Sequence, residues 1–270
     1  MNDSYTKMPI NEMEAIWAGG FKRARAALGV TAFGMSVSDL PPDFNHVPLH
    51  VHTFDGQEEA YYALRGSGWL EVNGERLELT QETVVRVGPT ASRRPIAGPD
   101  GIRLLTIGGT PGKAYEPFGN SVAGAPEPRV VDLPGVKAAH DHESSDDFAV
   151  LALEEMNPLS GRLEGVKVYP VRSSLGISSF GINAFDLEPA PEADYGSNHP
   201  THAEEDQEEV YIPISGAGEI LIGEERHELP PGEMVRVAPG VTRKLIPAEG
   251  GMRVLVIGAP IGAALENARF

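Results

Sequence analysis

Residues 27–108 and 174–258 of this 270-residue chain repeat one another, and a fold that must be built twice is far more constrained than one built once. Ala27-Leu28-Gly29-Val30-Thr31-Ala32-Phe33-Gly34 matches Ser174-Leu175-Gly176-Ile177-Ser178-Ser179-Phe180-Gly181. From Glu58 to Gly108 the register runs ungapped at an offset of 150: Glu58-Glu59 with Glu208-Glu209, Tyr61 with Tyr211, Gly66 and Gly68 with Gly216 and Gly218, Arg86 with Arg236, Pro89 with Pro239, Arg93 with Arg243 and Arg103 with Arg253. The matched positions are mostly polar residues and glycines, so the copies share backbone geometry and a set of pocket positions rather than a composition. The three extra residues of the second copy are placed between Pro189 and His202.

Within each copy, short β-rich runs are bounded by Gly, Pro and Asn. Tyr61 to Leu64, Trp69 to Val72, Arg76 to Leu79 and Thr83 to Val87 are such runs, and Asn73-Gly74 between the second and third is a hairpin turn signal. Val210 to Ile214, Glu219 to Ile222, Arg226 to Leu229 and Met234 to Val237 repeat them. Many short strands at even spacing predict an all-β architecture of antiparallel jelly-roll barrels with a few short helices. Helices are expected at Asn11 to Trp17 and Ile261 to Ala268, while Phe148 to Met156 fits helix or strand. The expected organisation is an N-terminal barrel with its arm over 1–125, a connector over 126–165 and a C-terminal barrel over 166–270.

A formal charge of −17 repels a phosphate backbone, and no Lys/Arg run offsets it, which argues against a nucleic-acid partner. Cysteine is absent, excluding disulfides, thiolate metal sites and a cysteine nucleophile. The first ten residues have no apolar signal core and no later stretch has the length of a membrane span, so a cytoplasmic, membrane-free protein is expected. A homodimer is left open.

The chemistry concentrates in His50-Val51-His52, followed by Glu58-Glu59 and by Gly66. Two histidines at i and i+2 of a strand share a face and reach one ion, with a carboxylate arriving from the next strand. This arrangement resembles the first motif of the cupin superfamily, and Val87-Gly88-Pro89-Thr90 and Val237-Ala238-Pro239-Gly240 resemble the second. The resemblance covers both halves and implies a bicupin: two tandem cupin-type jelly-roll (double-stranded β-helix) barrels. It also implies metal ligation by His50, His52 and Glu59 in the N-terminal barrel, with Glu58 a rival ligand because the gap after His52 is long. Where the second motif normally delivers a histidine ligand, this chain has Arg93 and Arg243. A guanidinium does not bind metal, so at most one divalent ion (Fe, Mn, Ni or Zn) per chain is expected, with a metal-free protein as the alternative.

In the second copy, Asn198-His199-Pro200-Thr201-His202 puts Pro200 at the offset position of His50, and His199 and His202 would face opposite sides of a regular strand. His202, Glu209, Tyr211 and Arg243 are therefore expected to line a metal-free pocket. Glu59 with Arg93 and Glu209 with Arg243 fit buried ion pairs, and Arg86 and Arg236 fit partners of Glu58 and Glu208 outside the pockets. His140-Asp141-His142 lies in a polar connector and is read as solvated loop.

The resemblance implies a small-molecule ligand or substrate, which Arg93 would suit to an anion. Three function classes follow: a metalloenzyme of dioxygenase or isomerase type in the N-terminal barrel with Tyr61 and Arg93 acting on the substrate, a metal-free isomerase, epimerase or cyclase, and a non-catalytic small-ligand binding or sensing protein.

Overall fold

The computed structural model describes residues 4–117, 122–125, 147–159 and 163–265; His140-Asp141-His142 lie outside them. In chain order the strands are β1 (Tyr5–Pro9), β2 (Ala15–Ile16), β3 (Phe21–Lys22), β4 (Gly34–Leu40), β5 (Glu58–Val72), β6 (Glu75–Leu79), β7 (Thr83–Val87), β8 (Arg93–Gly109), β9 (Phe148–Ala152), β10 (Val166–Tyr169), β11 (Gly181–Leu187), β12 (Gln207–Ile222), β13 (Glu225–Glu228), β14 (Glu233–Val237) and β15 (Arg243–Pro260). Two five-residue helices, α1 (Ala24–Leu28) and α2 (Val171–Leu175), precede β4 and β11. The strands form two antiparallel sheets, β2-β3-β4-β8-β5-β7-β9 with β6 on β5, and β1-β14-β12-β15-β11-β10 with β13 on β12. Each sheet folds over as a jelly-roll barrel.

The offset of 150 holds strand by strand. Glu59 pairs with Val87 and Glu209 with Val237, while Val72 pairs with Arg93 and Ile222 with Arg243. The irregularities on either side of Gly66 recur around Gly216. Both glycines have positive φ, 72° and 70°, and a side chain there would strike the carbonyl oxygen of Gly101 or Gly251, so this bend in β5 and β12 requires glycine. The runs around Ala63 and Trp69 are thus one bent strand rather than two.

Alternation along β5 explains the layering. Tyr61 and Ala63 face the interior of their own barrel with Leu70, Val85 and Leu104, whereas Ala60 and Tyr62 face the other barrel. Val210 and Ile212 do the same from β12, and with Leu28, Phe33, Leu175, Phe180, Leu105 and Leu255 they build one apolar cluster shared by both barrels.

The repeat reaches further than identity reveals. β1 pairs with β14 of the second barrel, and β9 pairs with β7 of the first. The exchange is reciprocal in detail: Ile10 N–H donates to Gly232 O as Leu153 N–H donates to Glu82 O, at 2.9 and 2.7 Å. The turns that follow, Ile10–Glu12 and Leu153–Glu155, are both 3-10 helices. Each barrel is therefore edged by a strand that the other repeat supplies. The helix expected over Asn11 to Trp17 is this 3-10 turn followed by β2, because edge pairing satisfies the backbone better than one short helical turn ending at Trp17-Ala18 with φ of 51° and 56°. At the C-terminal end, Ile261-Gly262 form a turn, and residues 266–268 of the other expected helix, Ile261 to Ala268, are outside the described range. No helix among the described residues is long and apolar enough to cross a membrane.

Candidate metal centres in two barrels

Glu59 is the second residue of β5 and turns its side chain into the barrel, where Arg93, the first residue of β8, lies directly beside it. His50 stands opposite Arg93 in an isolated two-way bridge, its N–H donating to Arg93 O at 3.1 Å and its carbonyl accepting from Arg93 N–H at 2.9 Å. That bridge fixes the approach of the His50 segment, and two residues later His52 N–H is held by Pro89 O at 2.8 Å. The result brings together His50, His52 and Glu59, whose donor atoms lie within 4.8 Å of one another.

Both imidazoles are oriented by their far nitrogens. His50 Nδ1 is 3.1 Å from Pro48 O, an acceptor, so Nδ1 carries the proton and Nε2 offers its lone pair to the pocket. His52 Nδ1 is 3.1 Å from both carboxylate oxygens of Asp55, which leaves Nε2 on the same side. This is the way outer partners orient metal-binding histidines. His52 Nε2 is 3.4 Å from Glu59 Oε1, and His50 Nε2 is 3.8 Å from Oε2. Two donors about 2.1 Å from a tetrahedral ion lie roughly 3.4 Å apart, so the spacing suits an ion with little movement.

The other Glu59 oxygen is engaged. Tyr61 donates its hydroxyl to Oε2 at 2.5 Å and Arg93 Nε–H donates to it at 3.0 Å, while Arg93 Nη1 donates to Ala91 O. Burial alone would raise the Glu59 pKa, but the guanidinium of Arg93 and the two imidazoles outweigh it and hold the carboxyl well below the usual range. Burial and the Glu59 charge push the Tyr61 phenol well above its ordinary value, so it stays protonated. For His52, burial opposes charging, yet the Glu59 and Asp55 carboxylates carry its pKa above the ordinary value.

Glu58, next in the chain, points out of the barrel and is not a rival ligand: it pairs with Arg86 Nε at 3.1 Å and accepts from Ser178 and Ser179 of the other repeat. Strand alternation separates these two neighbouring carboxylates completely.

The second barrel repeats this design but not at the expected positions. The residue bridging Arg243 is His202, with N–H to Arg243 O at 3.1 Å and carbonyl from Arg243 N–H at 2.8 Å. Its Nδ1 lies 3.2 Å from Pro200 O, as His50 Nδ1 lies by Pro48 O. His202 is thus the counterpart of His50, Pro200 that of Pro48, and Glu204 stands where His52 does. The extra residues of the second copy precede Pro200, and two residues are missing from the loop before Glu208. The placement of Pro200 opposite His50 is corrected accordingly, and so is the separation of His199 from His202. The segment 197–201 is not a strand, and both rings line one cavity with their centroids 5.3 Å apart.

His202, Glu204 and Glu209 form a second group of donors within 4.8 Å of one another. Glu204 was not among the expected site residues; its signal in the sequence is Pro48-x-His50-x-His52 against Pro200-x-His202-x-Glu204. Tyr211 donates to Glu209 Oε2 at 2.6 Å, and Arg243 reaches the same oxygen through Nε at 3.0 Å and Nη2 at 2.7 Å. In the first barrel the corresponding Arg93 Nη2 is buried without a partner among the described residues. His199, 4 % exposed, accepts from Leu245 N–H on Nδ1, and burial with the neighbouring positive charge lowers its pKa to about 3. The cavity between Asn183, Phe185, His199, His202, Glu204 and Glu209 has a volume of about 80 Å3. That is room for an ion with a few waters, well below the size of a drug-sized pocket.

No family model matches the sequence, and no curated protein does. Solved structures do match in fold. Protein YlbA from E. coli aligns over 100 % of this chain and 95 % of its own, at 11 % identity and a TM-score of 0.63. Oxalate decarboxylase from Bacillus subtilis aligns over 96 % of this chain and 77 % of its own, at 14 % identity and a TM-score of 0.62. Salicylate 1,2-dioxygenase from Pseudoaminobacter salicylatoxidans aligns over 84 % of this chain and 68 % of its own, at 14 % identity and a TM-score of 0.55. The likeness is one of fold: antiparallel jelly-roll barrels, two in tandem.

Proposed function

We propose that the chain is a small-molecule cupin enzyme whose N-terminal barrel holds one divalent metal through His50, His52 and Glu59. The observation that carries this reading is the orientation of both imidazoles: each spends Nδ1 on an oxygen acceptor and turns Nε2 toward Glu59. Three protein donors leave open positions for a chelating ligand, and when bound the ion would supply Lewis acidity toward a ligand oxygen. Two imidazoles and one carboxylate suit Fe, Zn, Ni or Mn.

The remaining residues hold this centre. Tyr61 and Arg93 both donate to Glu59 Oε2, which fixes the carboxylate and leaves Oε1 toward His52. Asp55 sets the His52 ring. His50 is the more open member, its side chain 29 % exposed, which marks the side from which a small ligand enters. Dioxygenase and isomerase chemistry both fit such a centre; oxalate decarboxylase and salicylate dioxygenase share its fold and do not choose between them.

A second reading is favoured by the closed Arg93–Glu59–Tyr61 network, which balances the buried carboxylate without an ion and fits a metal-free isomerase or binding protein. Co2+ titration of chelator-treated protein separates the two. The metal reading expects a Co2+ absorption spectrum that His50→Ala/His52→Ala abolishes while the circular dichroism is kept; a spectrum unchanged in that variant overturns it.

A further inference from the structure

The outer walls of the two barrels differ along one corresponding row of residues. In the first barrel Glu71 of β5 stands between Arg76 of β6 and Arg94 of β8, and Arg94 Nη2 reaches both carboxylate oxygens at 3.1 Å. At the offset of 150 the same row is Arg226, Leu221 and Lys244. Ile220 and Ile222 pack inside the second barrel, so strand alternation turns Leu221 and its row outward. Both cations are kept and the carboxylate between them is lost.

Lys244 is 5 % exposed, yet its ammonium has no carboxylate or carbonyl partner among the described residues. A lysine so deeply set is ordinarily paired. Arg226 keeps an exposed pair with Glu219 at 2.8 Å, the weak kind. What meets both cations is Tyr195, from the lengthened segment before Pro200. Its ring centroid lies 5.8 Å from Lys244 Nζ and 5.2 Å from the Arg226 guanidinium carbon. Tyr195 holds a left-handed φ of 59°, which disfavours a bulky residue, and it is 53 % exposed. Strain of this kind is kept where a side chain has to be presented.

We propose that Lys244, Arg226 and Tyr195 form a carboxylate-binding site on the outer wall of the C-terminal barrel, which takes from an external ligand the negative charge that Glu71 supplies within the first. With Glu219 counted, the charged side chains of the cluster carry one net positive charge, which suits a monocarboxylate; Glu219 would oppose a phosphate dianion. The exposed Tyr195 ring beside the cations adds an apolar surface, so the ligand class is a small monocarboxylate with an apolar body. The site lies outside the barrel interior and is independent of any metal there.

The test follows the Tyr195 ring resonance of the full chain labelled with 13C at tyrosine, assigned through Tyr195→Phe, during titration with benzoate at constant ionic strength. A saturable shift is expected, with affinity weakened roughly tenfold or more by Lys244→Gln. Leu221→Glu, which returns the carboxylate of the first repeat, should abolish saturation. A shift that sodium chloride reproduces, an affinity unchanged in Lys244→Gln or in Leu221→Glu, or tighter binding of inorganic phosphate than of benzoate overturns the proposal. Should Lys244→Gln fail to fold, Arg226→Gln at its exposed position decides, and unchanged benzoate affinity there overturns the proposal as well.

Discussion

Ser179 of the second repeat donates both its backbone N–H and its hydroxyl to the Glu58 carboxylate of the first, each at 2.8 Å. Ser178 adds its own N–H at 2.7 Å, and the mirror contact binds Glu208 to the N–H groups of Thr31 and Ala32. Both carboxylates are fully buried, and each is the chain neighbour of a pocket glutamate. The inter-barrel seam and the two sites are therefore anchored by consecutive residues.

Glu58→Ala removes the acceptor for several buried donors and leaves Arg86 without its carboxylate. A loss of about 3 kcal/mol in unfolding free energy is expected, with Glu208→Ala costing a similar amount. Urea unfolding measures both. A change below roughly 0.5 kcal/mol would mean that the seam tolerates unpaired donors and that the clamp has no energetic role.

His199 gives the protein an acid-sensitive element. Its folded pKa, about 3, lies below the ordinary value of 6.5, so between these pH values the unfolded chain binds the proton and the folded one does not. Stability from this residue is thus present above pH 6.5 and is lost as pH falls, by up to about 1.4 kcal/mol per unit. His199→Asn keeps an acceptor for Leu245 N–H and should flatten the stability profile between pH 6.5 and about 4.5. An unchanged slope contradicts the assignment.

His52 acts in the opposite sense. Its raised pKa stabilises the metal-free protein below pH 6.5, a contribution lost as pH rises through the folded value. Since a metal needs the neutral ring, affinity at the N-terminal site should strengthen across that same rise, and isothermal titration with Zn2+ at several pH values reads it. A flat affinity profile would place the ion away from His52.

Arg93→His removes the cation bound to Glu59 Oε2 and supplies another neutral nitrogen. Zn2+ affinity in the N-terminal barrel should rise about tenfold or more, by competition with a chromophoric chelator. Weaker binding would show that Arg93 supports the ligand set by holding Glu59.

The barrels were legible because β5 and β12 carry their face alternation openly: Glu59 and Tyr61 inward, Ala60 and Tyr62 toward the partner barrel. Arg93 beside Glu59 and Arg86 beside Glu58 followed from the same pattern. The helices α1 and α2 escaped it, being too short for a periodic signal, though Gly29 and Gly176 cap them in left-handed geometry at φ of 72° and 69°. The exchanged strands β1 and β9 share hardly any residues, since an edge strand is specified by backbone pairing more than by side chains. Glu204 was missed because a constant offset cannot see an insertion before Pro200 compensated by a deletion after it; only the bridges of His50 and His202 to their arginines reveal the true match.

Anomalous diffraction from crystals of the metal-loaded protein should show a peak about 2.1 Å from His50 Nε2, His52 Nε2 and a Glu59 oxygen, the place where these three residues would hold an ion. Density without such a peak, with Arg93 and Tyr61 still closed on Glu59 at saturating metal, would contradict this placement.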